Sequence, residues 1–368
     1  MNVVYVYADS KLEWNCAEWR CVIPAKGLQR SGRHSAQLLD LPSFTVNTPE
    51  AQDICSKADV IVVQRNLFGA VLSAIQRWKA RDKVVITDFD DAYNLIPPTV
   101  KNYEFWIEGK LPPGPGNEGK NQRMTPPPLT QFKWGLRLVH GATMPSRRLA
   151  DDWKAYTDTY YLPNYFDLDR YLNISPIPHD RVILGWGGSL SHLQSFKESG
   201  LLPALMRVCD LRPDIRVMIC GDPRVFEAIP LPREQKIFQA WVPAQEWPRV
   251  LANFDIGLAP LAGSYDERRS WIKVMEYMVM KIPFAASDNV AYQELRPYGR
   301  LVKNTADEWE TTLLEMIDQI DGYRADAAGE PYLFALSQGI DENVDKMINI
   351  YETIRAKVYG NSAGSGNG

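Results

Sequence analysis

The sequence is poor in the residues that build metal centres and disulfide frameworks. Its five cysteines, Cys16, Cys21, Cys55, Cys209 and Cys220, are odd in number, scattered and without a C-x-x-C pair. That pattern argues against a thiolate zinc site or a disulfide scaffold and predicts reduced thiols. Four histidines, His34, His140, His179 and His192, stand far apart, so no metal site is predicted. No apolar run reaches the ~20 residues of a membrane span. The chain opens on the strand-like NVVYVY rather than on a basic and then apolar leader, and a soluble, cytoplasmic protein is expected. An excess of positive charge is missing too, since 41 Lys and Arg face 45 Asp and Glu for a net charge of −4. A dedicated nucleic-acid or membrane-surface binder would need a basic surface. A local basic groove stays open, and no repeat of solenoid period is present.

What is there is size and alternation. With 368 residues, 45% of them hydrophobic, the chain exceeds the ~250 to 300 residues at which single cores stop growing, and two domains are expected. Apolar strands alternate with helical segments in the first half: Asn2 to Tyr7, Val60 to Gln64, Lys83 to Asp88 and Ala142 to Met144, with Ser146 capping a helix through Trp153. Strands without polar alternation imply a parallel sheet covered by helices on both faces. We expect a first domain over 1–172, a two-proline linker over 173–180 and a second domain over 181–335. A last helix in 336–359 should return to the first domain, and the tail 360–368 should be disordered. The Pro- and Gly-rich stretch 111–128 reads as a mobile loop or lid inside the first domain.

Ligands in open α/β sheets bind beyond the carboxyl ends of the strands. After the first strand that position holds Trp14, Asn15, Glu18, Trp19 and Arg20, where Trp19 reads equally as core. After the strand ending at Asp88 it holds Asp90, Asp91 and Tyr93 in the run DFDDAY. Such carboxylates could bind a metal, act as a base or orient acceptor hydroxyls, and one of them could simply cap the turn. We take Asp90, Asp91 and, in the second half, Lys273 as catalytic candidates and Asn15, Arg20, Asp91 and Tyr93 as acceptor contacts. In the second half, Gly187, Gly188 and Ser189 would let the backbone approach a phosphate at a helix start.

The stretch DIGLAPLAGSYDERRSWIKVMEYMVMKIPFAAS, 255–287, reads as strand, charged loop, helix (about 269–280) and strand. Arg269, Lys273 and Glu276 share one side of an otherwise apolar helix. That side is either an ordinary solvated face or a charged stripe aimed into a site. With Arg268 and the positive end of the helix dipole, the stripe suits a diphosphate, and Glu276 suits vicinal sugar hydroxyls.

RSWIKVMEYMVMKIPFAAS, following a strand that ends in Ala-Pro-Leu, resembles the donor-binding core of the GT-B glycosyltransferases, particularly the retaining family four, with a phage-like cast in the Asp-Asp-Ala-Tyr loop. GATMPSRRLADDW and YYLPNYFDLDRY resemble that family's strand–helix and closing elements of the first domain. The resemblance implies an α/β GT-B fold, two Rossmann-like domains with parallel sheets facing a central cleft. It implies a hexosyltransferase-like enzyme that moves a sugar, with retention, from a nucleotide-diphosphate sugar (UDP- or GDP-sugar) to a hydroxyl. The acceptor would be a glycan or a protein, ahead of modified DNA, and no metal or other cofactor would be required. Glu276 matches the second of the family's two glutamates. Arg268 occupies the place of the first, a role that Asp266 or Glu267 could take over. The family's Arg and Lys beside the glycine turn are absent, leaving His192 nearest. Trp241 and Val242 match the turn that holds the nucleotide base, although Trp241 reads equally as core. A nucleotide-sugar epimerase or a non-catalytic nucleotide- or glycan-binding protein on the same architecture is the alternative.

Overall fold

The computed structural model describes residues 1–9, 15–100, 102–112 and 122–364, with side chains to residue 360. Trp14, the centre of the 111–128 loop and the end of the tail fall outside the described residues. Contacts divide the chain into two compact units. The first holds 15–166, the strand before it and the chain from Ile340 onward; the second holds Asp167–Gly339. Residues 167–180 join the second unit, because Tyr171 reaches Glu276 and the Ile177 amide bonds the Ala252 carbonyl.

The first unit is built on six strands: β1 (Asn2–Tyr7), β2 (Ser35–Asp40), β3 (Val60–Gln64), β4 (Val84–Asp88), β5 (Ala142–Met144) and β6 (Thr159–Tyr161). All pairs are parallel, in the order β2-β1-β3-β4-β5-β6. Every residue of β3 and β4 is buried, as expected of central strands covered on both faces. The long helix Ile340–Gly364 belongs to this unit. Tyr351 Oη meets Tyr5 Oη at 3.2 Å, and a Cβ on Gly27 would lie 2.3 Å from Ile340 Cγ1, so only glycine lets the Ile23–Arg30 helix come this close.

The second unit repeats the plan with β7 (Ile183–Gly188), β8 (Arg216–Gly221), β9 (Lys236–Ala240), β10 (Ile256–Ala259), β11 (Phe284–Ser287) and β12 (Arg300–Val302). Its order is β12-β11-β10-β7-β8-β9, again all parallel. Leu184, Trp186, Ile219, Leu258 and Trp309 lie in one continuous apolar core between this sheet and the helices Leu201–Leu211 and Ala306–Asp318. Two Rossmann-like α/β units are therefore present, each with its strands' carboxyl ends on one side. Among the described residues no helix is long and apolar enough to cross a membrane.

Candidate functional site

In the second unit the residues singled out from the sequence converge at the ends of β7 and β10. The helix Ile272–Val279 starts after Trp271 without a side-chain cap and buries one whole flank, including Glu276. Glu276, 5% exposed, accepts hydrogen bonds from Trp247 Nε1 at 2.9 Å and Tyr171 Oη at 3.4 Å. One turn earlier, Lys273 donates to the Gly187 carbonyl at the end of β7 and lies 4.9 Å from the centre of the Trp186 ring. Burial pushes the Glu276 carboxyl up and the Lys273 ammonium down, and each restrains the other through its opposite charge.

Further polar groups gather on Arg269 and Asp266, ahead of this helix. Ser189 Oγ bonds Ser191 Oγ at 2.8 Å, and Arg269 reaches Ser191 Oγ at 3.5 Å while stacking 4.8 Å over Tyr265. Asp266, 4% exposed, receives the Ala262 N–H at 2.9 Å, the Ser195 hydroxyl at 2.6 Å and the Arg269 Nε at 3.4 Å. His192 lies against Trp186, and burial followed by Arg269 and Lys273 drives its pKa well below the ordinary value, so the ring is neutral. Arg268 is turned to the Ser264 carbonyl (2.8 Å) and the Glu267 carboxylate (2.7 Å).

The two glycines have a packing reason of their own. A Cβ on Gly187 would stand 2.3 Å from the Trp247 ring and one on Gly188 2.7 Å from the Trp186 ring. Trp241 is half exposed and lies beside Gly221, next to Gly188, so it is a surface residue rather than core; Val242 is half-buried. A cavity of about 480 Å³, walled by Phe284, Tyr298, Tyr323 and Pro331 among others, lies near the opposite, amino ends of β11 and β12 and takes no part in this cluster.

In the first unit a second group gathers at the ends of β1, β3 and β4. Arg20, expected at an acceptor, is turned inward instead: it is 3% exposed and grips Asp88 with Nε (2.8 Å) and Nη2 (2.7 Å). Its Nη1 bonds the Leu162 carbonyl and Asn164 Oδ1, both at 2.9 Å, and Thr143 Oγ1 donates to Asp88 at 2.6 Å. The physical reason is the π-helical turn Glu18–Val22, which rotates Arg20 under the sheet's end where Asp88 would otherwise be buried unpaired. Asn15 Oδ1 accepts the Ala17 N–H at 3.0 Å, a local turn bond. Trp19 is core, edge-on to Phe166 at 5.4 Å.

Asp90 and Asp91 lie half-buried after β4. Burial, then Asp91, pushes the Asp90 carboxyl up to about 6, against the pull of Arg65 and a hydrogen bond from Cys16. Tyr93, 3% exposed, stacks on Trp106 with 3.9 Å between ring centres, and its hydroxyl has no partner among the described residues. Such an orphan calls for an explanation, and a ligand hydroxyl would supply one. Among the described residues no three His, Cys, Asp or Glu side chains converge to hold a metal ion.

Sequence reasoning missed Tyr171, Ser191, Ser195 and Trp247 in the second unit and Asp9, Gln64 and Arg65 in the first. The last three do follow the ends of β1 and β3, a positional signal that could have found them.

No family model and no curated protein sequence matches the chain. Solved structures do. A sucrose-phosphate synthase from Thermosynechococcus elongatus superposes with a TM-score of 0.64 at 10% identity, over 97% of this chain and 99% of that one. Anabaena Alr3699/HepE, solved in complex with UDP and glucose, gives 0.63 at 12% identity, over 94% and 99%. The UDP-GlcNAc 2-epimerase of Neisseria meningitidis, bound to UDP-GlcNAc, gives 0.53 at 12% identity, over 96% and 100%. At such identities the likeness is one of fold, and the chain has the GT-B fold of two Rossmann-like units.

Proposed function

We propose that this protein is a glycosyltransferase that moves a sugar from a UDP- or GDP-sugar to an acceptor hydroxyl. The observation that carries the reading is the second-unit cluster, in which Arg269 meets Ser191, neutral His192 lies by Arg269 and Lys273, and Lys273 stands one helical turn before the buried Glu276. Lys273 and Arg269 supply charge for a diphosphate, with the start of the Ile272–Val279 helix adding its dipole. Glu276, fixed by Trp247 and Tyr171, has a carboxylate suited to ribose hydroxyls. Trp241 and Val242 would offer a wall for the base, and Asp266 would read the donor sugar's hydroxyls. Structures of like fold hold UDP with glucose and UDP-GlcNAc, which supports a nucleotide-sugar donor.

The acceptor would meet the first unit at Asp90, Asp91, Tyr93 and Asn15. Arg20 contributes there only by holding Asp88. Retention follows from the resemblance to family four: no enzyme nucleophile is needed, and the leaving diphosphate takes the acceptor's proton while the cations stabilise it. With those cations in place, turnover should survive EDTA; loss restored by Mn²⁺ or Mg²⁺ would return Asp88 and Asp90 to a metal-binding role.

The test is a thermal-shift screen over UDP- and GDP-sugars, where a ligand at ~100 times its Kd adds ~2.7 kcal/mol of stability. No response from any member would sink the reading. A nucleotide-sugar 2-epimerase is the second reading, favoured by the likeness to the Neisseria enzyme. It predicts a C2-epimerised nucleotide sugar in the absence of any acceptor.

A further inference from the structure

We propose that the cavity beside the amino ends of β11 and β12 binds an organic amine, a protonated alkylammonium group carried on an apolar body. The proposal goes beyond the glycosyltransferase reading and stands independently of it, because this cavity lies at the opposite end of the sheet from the donor cluster. Its volume of about 480 Å³ falls within the roughly 300–1,000 Å³ of small-molecule sites. The walls are apolar and aromatic. Phe284 opens β11 and Tyr298 precedes β12, while Tyr323 and Pro331 come from the helices Ile320–Ala327 and Glu330–Leu336. One face of Tyr298 is stacked on Phe334, with 4.6 Å between ring centres. A Cβ on Gly299 would stand 2.4 Å from the Phe284 ring, so the ring keeps its place in the wall only because that position is glycine.

The charged groups of the cavity set the sign of the ligand. Asp326 and Glu330 both line it, and neither carboxylate has a hydrogen bond or an ion pair with another described residue. The cations around them are already engaged. Arg300 holds Glu315 through two bonds, at 2.7 and 3.0 Å, and Tyr323 Oη at 2.8 Å. Arg324 pairs with Asp255 and Asp321, Arg296 with Asp288, and Lys281 lies over the Tyr332 ring. The two carboxylates therefore give the cavity a negative charge that the chain itself does not offset. Asp326 also stands in the last turn of the helix Ile320–Ala327, at the negative end of its dipole, where a carboxylate is disfavoured and a cation welcome. An ammonium group answers all of these at once: it donates to the carboxylates, meets the helix end and is drawn to aromatic faces, while its methylenes pack on the apolar wall. An anion is repelled here, and a neutral polyol gains nothing from the uncompensated charge.

The experiment is calorimetric titration of the full chain with cadaverine at low salt, beside the uncharged diol of the same chain length and cellobiose. A saturable one-to-one isotherm is expected for the diamine and none for the diol or the disaccharide at the same concentrations. The double variant Asp326→Asn with Glu330→Gln should weaken diamine binding by about tenfold. Both side chains are exposed, so the fold should survive, which an unchanged urea midpoint checks. Ala325→Trp fills the cavity from its exposed rim without altering any charge and should weaken the diamine as well. Loss in the double variant but not in Ala325→Trp would mean diffuse charge attraction at the surface and overturn the proposal. So would diamine affinity unchanged in the double variant, a diol or disaccharide that binds as tightly as the diamine, or no saturation by the diamine at millimolar concentration.

Discussion

Both units bury a cation and a carboxylate at the ends of their strands, yet they treat the pair in opposite ways. In the first, Arg20 and Asp88 are joined by two short parallel bonds, and Leu162, Asn164 and Thr143 take up further donors and acceptors. In the second, Lys273 and Glu276 lie one turn apart on the same helix but take neutral partners: a carbonyl, an indole N–H and a tyrosine hydroxyl. The first arrangement compensates burial within the fold. The second leaves it partly uncompensated, which is why Glu276 is pushed up and Lys273 down, as happens where a site waits for a charged ligand. A buried charge is thus no mark of function by itself; the completeness of its partners is what separates the two clusters.

The comparison breaks most visibly at Arg20. Arg20→Met leaves Asp88 buried without its cation and should cost about 3–5 kcal/mol in urea unfolding, whereas Arg20→Met with Asp88→Leu should recover most of the loss. A single variant as stable as the parent would show that the first cluster is open as well. The second cluster should behave in the reverse sense. Lys273→Ala and Glu276→Gln should each weaken UDP-sugar binding by about 1.5–3 kcal/mol in calorimetry while the fold survives. Unchanged affinity in both would make the stripe structural.

A smaller effect links packing to that site. Trp247 fills the space a side chain at position 187 would need and at the same time donates to Glu276. Gly187→Ala should therefore cost about 1–3 kcal/mol of stability. It should also weaken donor binding, because the indole cannot move without releasing the carboxylate. Loss of stability with unaltered affinity would separate the two roles of Trp247.

Much of this could be read from the chain. The stripe of Arg269, Lys273 and Glu276, the strands on either side of it and the central strands of the first unit are local patterns, and periodicity reports them. The edge strand β2 was not legible, since SAQLLD mixes polar and apolar residues and pairs on one side only. Nor was the fate of each charge. Arg20 meets Asp88 across 68 positions, and Gly187 meets Trp247 across the β7–β10 crossover. Polar residues at strand ends can be found from sequence, but which of them neutralise one another is decided by topology. Arg65 escaped notice for the same reason, because VIVVQR looks like a strand with a charged end until Asp9 is brought beside it.

The smallest expected effect concerns Asp90 and sharpens the comparison, because it should carry opposite signs for stability and for turnover. Its folded pKa of about 6 exceeds the ~3.9 of an unfolded aspartate, so the native state binds the proton more tightly. The penalty for ionising this carboxyl is absent below about pH 4, grows as pH rises toward 6 and is complete above it. Asparagine escapes that penalty. Asp90→Asn should match the parent at pH 4 and exceed it at pH 8 by on the order of 1–2 kcal/mol, discounted because the residue keeps part of its surface in water. The same substitution removes the carboxylate that would accept the acceptor's hydrogen bond, so sugar transfer should fall strongly while donor affinity, which we assign to the second unit, should stay close to the parent's. Urea unfolding at the two pH values, run beside donor titration and turnover, reads all three quantities. A gain in stability equal at pH 4 and pH 8 would show that something other than charge burial is responsible. Near-normal transfer in Asp90→Asn and in Asp91→Asn would leave both carboxylates as turn residues and move the search for the acceptor to the loop within 111–128.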